Sequence, residues 1–428
     1  VSASPPRGLR GYAVLLRDPQ RRQLAGAGLV ARIPLAIVGF SVLFFVRSVT
    51  GSFADAGLAS GLVIAASALS GPVFGRIADR RGQRGALLVG AIGHPAAVLL
   101  LIVAGATGRS LPVLCIAVLL AGGTILPAGA YTRARWTALE HDGPGLQLAF
   151  SLEAVADELV WVFGPALASI VSASVNPAAG LVLSGVIGSI GFLWLRRGAG
   201  REPIPTTGAI GTTTGQIPTT AGVPAPDAVL PQPRRTFVPW RSRRVMAVLV
   251  SSVALGLTFG VNDVTVVAWA TDAGLAQISG LVLTAYSIGS VTGGVLMGGV
   301  PASFAPYRLL LFAAAAVGVC WSALALAPDV WWLFPIGLFA GATITPFTIS
   351  SNRVLHEGVH GAVFTEAVAW VSACTAGAMA FGQFIGGVVG QADGTLTGFD
   401  VVAMTAPLVF LVVLAARVIP ERRTAAAT

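Results

Sequence analysis

Twelve apolar runs, each long enough to cross a bilayer's hydrocarbon core as a helix, leave this chain little choice of environment. They fall at about 25–48, 57–76, 86–107, 112–133, 148–173 and 178–195, and then at 245–270, 278–300, 308–327, 331–353, 362–390 and 400–417. A membrane barrel would show ~10-residue stretches of alternating polarity instead. Charged residues make up 11% of the chain, hydrophobic residues 55%, and the mean hydropathy is +0.81. Soluble domains carry about 25% charged residues, and a chain this poor in charge could not cover its own surface. The first run follows a basic tail and has no small-residue cleavage site, so it reads as a retained span.

Between the sixth and seventh runs lies a stretch that could not sit in lipid. Residues 196–244 hold Pro, Thr, Gly and Ala between clusters of arginine, with no apolar periodicity, and read as a flexible basic linker. The chain therefore divides into a tail (1–24), a six-helix bundle (25–195), the linker (196–244), a second six-helix bundle (245–418) and a short tail (419–428). An even number of crossings puts both tails, the linker and the loops after runs 2, 4, 8 and 10 on one side. That side collects 24 of the 27 basic residues, all of them arginine, while Arg47 and Arg109 fall opposite and Arg32 lies within the first span. By the positive-inside rule the arginine-rich side is cytoplasmic, with both termini there. A bacterial-type cytoplasmic membrane is the expected setting.

The two bundles repeat one another. Asp55-Ala-Gly-Leu-Ala59 recurs as Asp272-Ala-Gly-Leu-Ala276, and Ser60-Gly-Leu-Val63 as Ser279-Gly-Leu-Val282. Ala121-Gly-Gly-Thr-Ile-Leu-Pro127 recurs as Ala340-Gly-Ala-Thr-Ile-Thr-Pro346, and Glu153-Ala-Val-Ala156 as Glu366-Ala-Val-Ala369. Each half has six spans, so the repeat is parallel and its axis runs along the membrane normal. Two such pseudo-symmetric bundles around a central cavity is a transporter plan, in which one half rocks against the other. Pro127 and Pro346 are expected kinks at matched positions.

The loop between the second and third runs reads Gly75-Arg-Ile-Ala-Asp79-Arg80-Arg81-Gly82-Gln83-Arg84. It resembles the loop signature of the major facilitator superfamily, G-x-x-x-D-R/K-x-G-R/K-R/K, with Gln83 at the first of the terminal basic positions. With the six-plus-six plan, the resemblance covers essentially the whole chain, in the manner of bacterial drug or metabolite exporters. It implies the twelve-helix fold, transport by alternating access, and a cytoplasmic gate at Gly75, Asp79, Arg80, Gly82 and Arg84. Gly75 would permit close helix approach and Gly82 a tight turn. The plainer reading, that these arginines only set topology, is compatible with a gate. Gly164-Pro165 resembles the superfamily's antiporter signature G-P-x-x-G-G, with Ala168-Ser169 in place of its last glycines.

The fifth run carries three acids, Glu153, Asp157 and Glu158. Glu153 and Asp157 are four apart and share a helix face; a 1.5 Å rise puts the three roughly 8, 14 and 15 Å from the cytoplasmic end. An ionised carboxylate there costs several kcal/mol unless it is paired or wetted. Carboxyl groups held this close share protons, which suits a proton carrier. The competing reading is a structural lock with Arg32, Arg133 or Arg353. Glu366, the repeat partner of Glu153, would face it across the bundle interface, with Trp370 one turn on. Asp263, following Asn262, would sit toward the outer leaflet and pair with Arg47, as an outer-gate and cavity residue or as a plain structural one. Arg32, just before Pro34, is read as a cavity residue, with a snorkelling anchor as the alternative.

The remaining candidates have structural readings. His94 before Pro95 reads as a satisfied intrahelical histidine, with a proton path as the alternative; Gly382, Gly386 and Gly390 have close-packing spacing. Trp331, Trp332 and Trp240 would form interfacial belts. Cys115, Cys320 and Cys374 lie singly in apolar runs, without disulfide or metal spacing. The net charge of +9 lacks interleaved aromatics to stack bases, so no nucleic-acid partner is expected. The chain has no lysine for a phosphate-binding loop, and no enzyme, cofactor or metal is expected.

These features point to a monomeric, all-α secondary transporter, with protons, a small molecule and the lipid bilayer as its partners. Proton-coupled export of a small organic or drug-like solute comes first. Proton-coupled uptake of a metabolite, or a non-transporting membrane sensor or assembly factor, are the alternatives. The topology is testable by labelling. A membrane-impermeant maleimide should label Ser110→Cys in intact cells but Thr213→Cys only after permeabilisation; the reverse pattern would invert the chain.

Overall fold

The structure, a computed structural model, describes residues 9–140, 144–198, 242–301, 303–359, 362–392, 394 and 397–418. A short helix, Leu9–Leu15, precedes twelve spans. The first six are α1 (Pro19–Thr50), α2 (Phe53–Arg81), α3 (Gln83–Ala106), α4 (Leu111–Gly123, resuming as Ala128–Glu140), α5 (Pro144–Ser174) and α6 (Ala179–Arg196). The second six are α7 (Arg243–Asp272), α8 (Ser279–Met297), α9 (Pro306–Ser322), α10 (Leu333–Gly341, resuming as Ile344–Gly358), α11 (Ala362–Ala392) and α12 (Thr397–Val418). Most of the linker, 199–241, lies outside the described residues, as does Trp240.

Local chemistry sets the ends of the spans. Asp18 caps α1, its carboxylate accepting from the Gln20 amide at 2.8 Å, with Pro19 at the first helical position. Ser52 caps α2, and Gly82 turns the chain from α2 into α3 at φ +86°, a conformation that a side chain would strain. Ile92, Leu99, Ile116, Phe312, Val319 and Met404 stand exposed on the outside of the bundle, as lipid-facing residues should. Inside, one apolar cluster fills the second half and two fill the first, the larger of these also taking in Val264 and Val267 of α7.

The repeated sequences recur as repeated geometry. Span α4 breaks after Gly123 and resumes at Ala128, while α10 breaks after Gly341 and resumes at Ile344, within the matched motif. Pro127 stands in its break; Pro346 sits in the first turn of the resumed helix. The Ser-Gly-Leu-Val repeat places Gly61 on α2 and Gly280 on α8, and both meet the opposite bundle. A Cβ on Gly61 would collide with the backbone carbonyl of Ala380 on α11, and one on Gly280 with that of Pro165 on α5. Gly57 is pressed in the same way against the carbonyl of Gln383.

These contacts close the arginine-poor end. Gln391 of α11 accepts from the Ser52 hydroxyl at 2.6 Å and the Ala54 amide at 3.1 Å. Across the other seam, Gly280 N–H donates to Ser169 Oγ at 3.0 Å and the Thr284 hydroxyl to the Val162 carbonyl at 2.6 Å. Toward the arginine-rich end the halves part. Leu69 and Val73 on α2 and Trp370 on α11 are exposed, and Gly71, Gly75 and Gly377 face open space. The close helix approach expected at Gly75 is therefore absent in this conformation, since no described atom lies within 4 Å of where its Cβ would stand. Among the glycines of α11, Gly382 and Gly386 pack on α7, whereas Gly390 meets nothing. A valine at position 57 should lower the apparent unfolding temperature, corresponding to about 1–3 kcal/mol of overpacking. Gly75→Val, pointing into space, should leave it within error; equal effects in a thermal-shift assay would argue against this packing.

Candidate functional site

Two polar centres occupy the middle of the bundle, and the charges of α1, α5 and α7 divide between them. The first lies within the first half, where α1, α4 and α5 meet. Glu153 is 1% exposed and Arg32 5%, and the two form an ion pair. Glu153 also accepts from the Thr132 hydroxyl and, at 2.8 Å, from Trp136 Nε1. Arg32 Nη2 donates to Thr132 Oγ1 at 2.8 Å, and Arg32 Nε lies 2.8 Å from Asp157 Oδ1 without the alignment of a hydrogen bond. Arg133 pairs with the other oxygen of Asp157. Two arginines and two carboxylates thus form a formally neutral unit, and Glu153 is held as a fixed counter-ion.

The second centre is a cavity of about 730 Å³ between the halves. Its walls are largely apolar and aromatic, with Phe40, Trp161, Phe259, Tyr286, Trp321 and Phe347 among them. Phe259 and Trp321 have ring centroids 4.9 Å apart, and Tyr286 and Trp321 5.5 Å. Glu158 and Asp263 are the charged residues of its lining, which includes no arginine or histidine among the described residues. Asp263 and Gln383 each lie nine residues short of the arginine-poor end of their helix. Glu158 lies roughly 10 Å nearer the arginine-rich end, by helical rise. One i, i+4 face of α5 therefore serves the neutral unit, and the next residue round serves the cavity.

Several expectations need correction. Glu366 does not oppose Glu153: Glu153 is buried against Arg32, whereas Glu366 and Trp370 are exposed at the arginine-rich end of α11, outside the cavity lining. Asp263 does not pair with Arg47, whose guanidinium lies 4.4 Å over the Phe53 ring; Asp263 instead takes a side-chain hydrogen bond from Gln383. Arg32 is a counter-ion rather than a lining residue. Arg353 is half-buried on α10, with no ion pair among the described residues. Asn262 is fully buried and points at α8, its Oδ1 accepting from the Tyr286 hydroxyl at 3.3 Å. Asp79, Arg80 and Arg84 are exposed at the α2–α3 turn. His94 is buried between the Ala121 carbonyl (3.2 Å) and the Ser184 hydroxyl (3.0 Å), so it is satisfied where it stands.

The sequence reading missed Gln383 and Tyr286, polar side chains in the middle of apolar spans, a signal comparable to that of the acids. It also read Arg135 only as a topology marker. Arg135 is 1% exposed and ties α4 to the α2–α3 turn through Gln83 Oε1 (2.8 Å) and to α6 through the Leu195 carbonyl.

A sequence model of the Major Facilitator Superfamily matches residues 24–364. The chain belongs to the major facilitator superfamily. It is a multi-pass membrane protein and a secondary transporter of that type, not an enzyme. No curated protein matches the sequence. Among solved structures, a mutant of the nucleoside transporter NupG has a TM-score of 0.71 at 13% identity, covering 93% of this chain and 99% of that one. An inward-facing bacterial homologue of the iron transporter ferroportin gives 0.68 at 16%, covering 95% and 100%. A ferroportin homologue in the outward-facing state gives 0.56 at 16%, covering 92% and 98%. A POT family transporter gives 0.66 at 12%, covering 92% and 95%. At these identities the likeness is one of fold.

For this superfamily member, the division of charges predicts a division of mutant effects. Glu153→Gln should cost about 3 kcal/mol, because it takes a buried partner from Arg32. Glu158→Gln, wetted in the cavity, should change stability by no more than about 0.5 kcal/mol. Thermal unfolding in detergent checks both; a tolerant Glu153 would remove it from its anchoring role.

Proposed function

We propose that the chain is a proton-coupled exporter, exchanging protons for a small amphipathic organic cation. The observation that carries this reading is the lining of the cavity, in which two carboxylates stand among aromatic rings with no basic side chain among the described lining residues. Such walls suit an apolar body and a positive head group, through burial and cation–π attraction. A proton neutralises the same carboxylates, so cation and proton compete for them, and competition for one site is what exchange requires. Glu158 and Asp263 are the carriers in this account. Glu153 and Arg32 anchor the first half, and Asp157 and Arg133 link that anchor to the inner vestibule.

The cavity opens toward the arginine-rich end, which the positive-inside rule assigns to the cytoplasm, with both termini. The higher similarity to the inward-facing ferroportin homologue than to an outward-facing one supports the same orientation. Cargo then loads from inside, and the loop 75–84 is the gate that closes behind it, in a monomer in a bacterial-type cytoplasmic membrane. Proton entry releases about 2.3 kcal/mol per charge per 100 mV, besides its concentration term, and drives the cargo outward.

The test uses phenylbutyl-trimethylammonium, a permanent cation, in proteoliposomes of known orientation. An imposed proton gradient should drive it opposite to proton flow, and Glu158→Gln or Asp263→Asn should cut that flux at least about tenfold, the effect of ~1.4 kcal/mol or more. Movement along with protons would make the protein an uptake system. Undiminished flux in both variants would remove the carboxylates from the mechanism.

A further inference from the structure

We infer that the closed end of the cavity is a recognition subsite for a head group bearing N–H donors, an ammonium, amidinium or guanidinium, built from Asp263 of α7 and Gln383 of α11. The inference rests on the organic-cation reading above and narrows it. Both residues line the cavity, level with one another near its closed end. Gln383 is 3% exposed, and its side chain hydrogen-bonds to Asp263. A carboxylate can only accept, so the amide nitrogen of Gln383 faces Asp263 and leaves Oε1 as the free end. Oε1 is buried and has no donor among the described residues.

With Asp263 ionised, the surrounding described residues leave that donor unsupplied. The Gln383 backbone is wedged between helices, its carbonyl against Gly57 of α2 and its amide against Gly260 of α7. Asn262, the adjacent residue, is not part of the lining: its Oδ1 accepts from the Tyr286 hydroxyl, and its Nδ2 is buried without a partner among the described residues, bonded to neither Asp263 nor Gln383. Asp263 has no ion-pair partner among the described residues, so a carboxylate and an unpartnered amide oxygen belong to the same lining with no positive charge paired to either. An unsatisfied buried acceptor is unfavourable until a donor arrives. The complement to this pair is a cation with at least two N–H bonds, whereas a quaternary ammonium satisfies neither acceptor. Phe259, one turn from Asp263 on α7, packs tilted against Trp321 and offers a shelf for the ligand's apolar body.

The test compares equilibrium binding of phenylbutylammonium and its trimethylated quaternary analogue to the full chain in detergent. The wild type should bind the primary ammonium about tenfold tighter or more, as expected for a charge-assisted hydrogen bond. Gln383→Met, close in shape, should weaken the primary ammonium by about the same factor and the quaternary ion by no more than about twofold. Retained quaternary binding also reports that the variant is folded. Should Gln383→Met lose both probes, Asp263→Asn and Gln383→Asn decide: unchanged primary-to-quaternary selectivity in both overturns the subsite. Equal affinities in the wild type, or a Gln383→Met effect shared by both probes in folded protein, also overturn it, while the cation reading stands. If neither probe binds the wild type, the cation reading falls and the subsite with it.

Discussion

A charge inside a bilayer must be paired or wetted, and this protein does the two things in different places. Arg32, buried in α1, is neutralised by Glu153, and the pair is extended through Asp157 to Arg133. Breaking such a pair is costly because the survivor is left charged in a poor solvent. Glu158 and Asp263 have no such partners among the described residues and face the cavity. The same physical penalty that fixes one set of acids forces the other to meet water, protons or cargo.

The rest of the architecture follows from keeping that cavity accessible from one side. The two seams at the arginine-poor end depend on glycines of one repeated motif, Gly61 against α11 and Gly280 against α5, where backbones meet without intervening side chains. At the opposite end the corresponding faces are bare, with Gly71, Gly75 and Gly377 meeting nothing. Spans α1 and α7 are the most buried, 61% and 72% of their apolar windows, and they carry Arg32 and Asp263 respectively. The pseudo-symmetric helices thus hold opposite charges, one locked and one available.

Span number, the repeat and the matched breaks in α4 and α10 were legible in the sequence, because lipid demands long apolar helices and the repeated motifs mark equivalent turns. The acids of α5 were legible too, since a carboxylate in an apolar run stands out. What the sequence could not convey is which way each one turns. Glu153 and Glu158 lie five residues apart on one helix, yet one meets Arg32 and the other the cavity. The symmetry between Glu153 and Glu366 misleads, because the described residues of the second half hold no counterpart of the Arg32 pairing and Glu366 stays exposed. Asp263 was matched to Arg47 by depth alone; the ring of Phe53 takes the guanidinium instead.

The central claim is that protons and a cation compete for Glu158 and Asp263. It is tested most directly by counting protons when phenylbutyl-trimethylammonium binds to purified protein in weakly buffered solution with a pH-indicator dye. Linkage requires proton release on binding somewhere between about pH 5 and 9 if the carboxylates are shared. The account predicts such release from the wild type and none from the variant combining Glu158→Gln with Asp263→Asn. Binding without proton release at any pH in that range, or release that persists in the double variant, would contradict it.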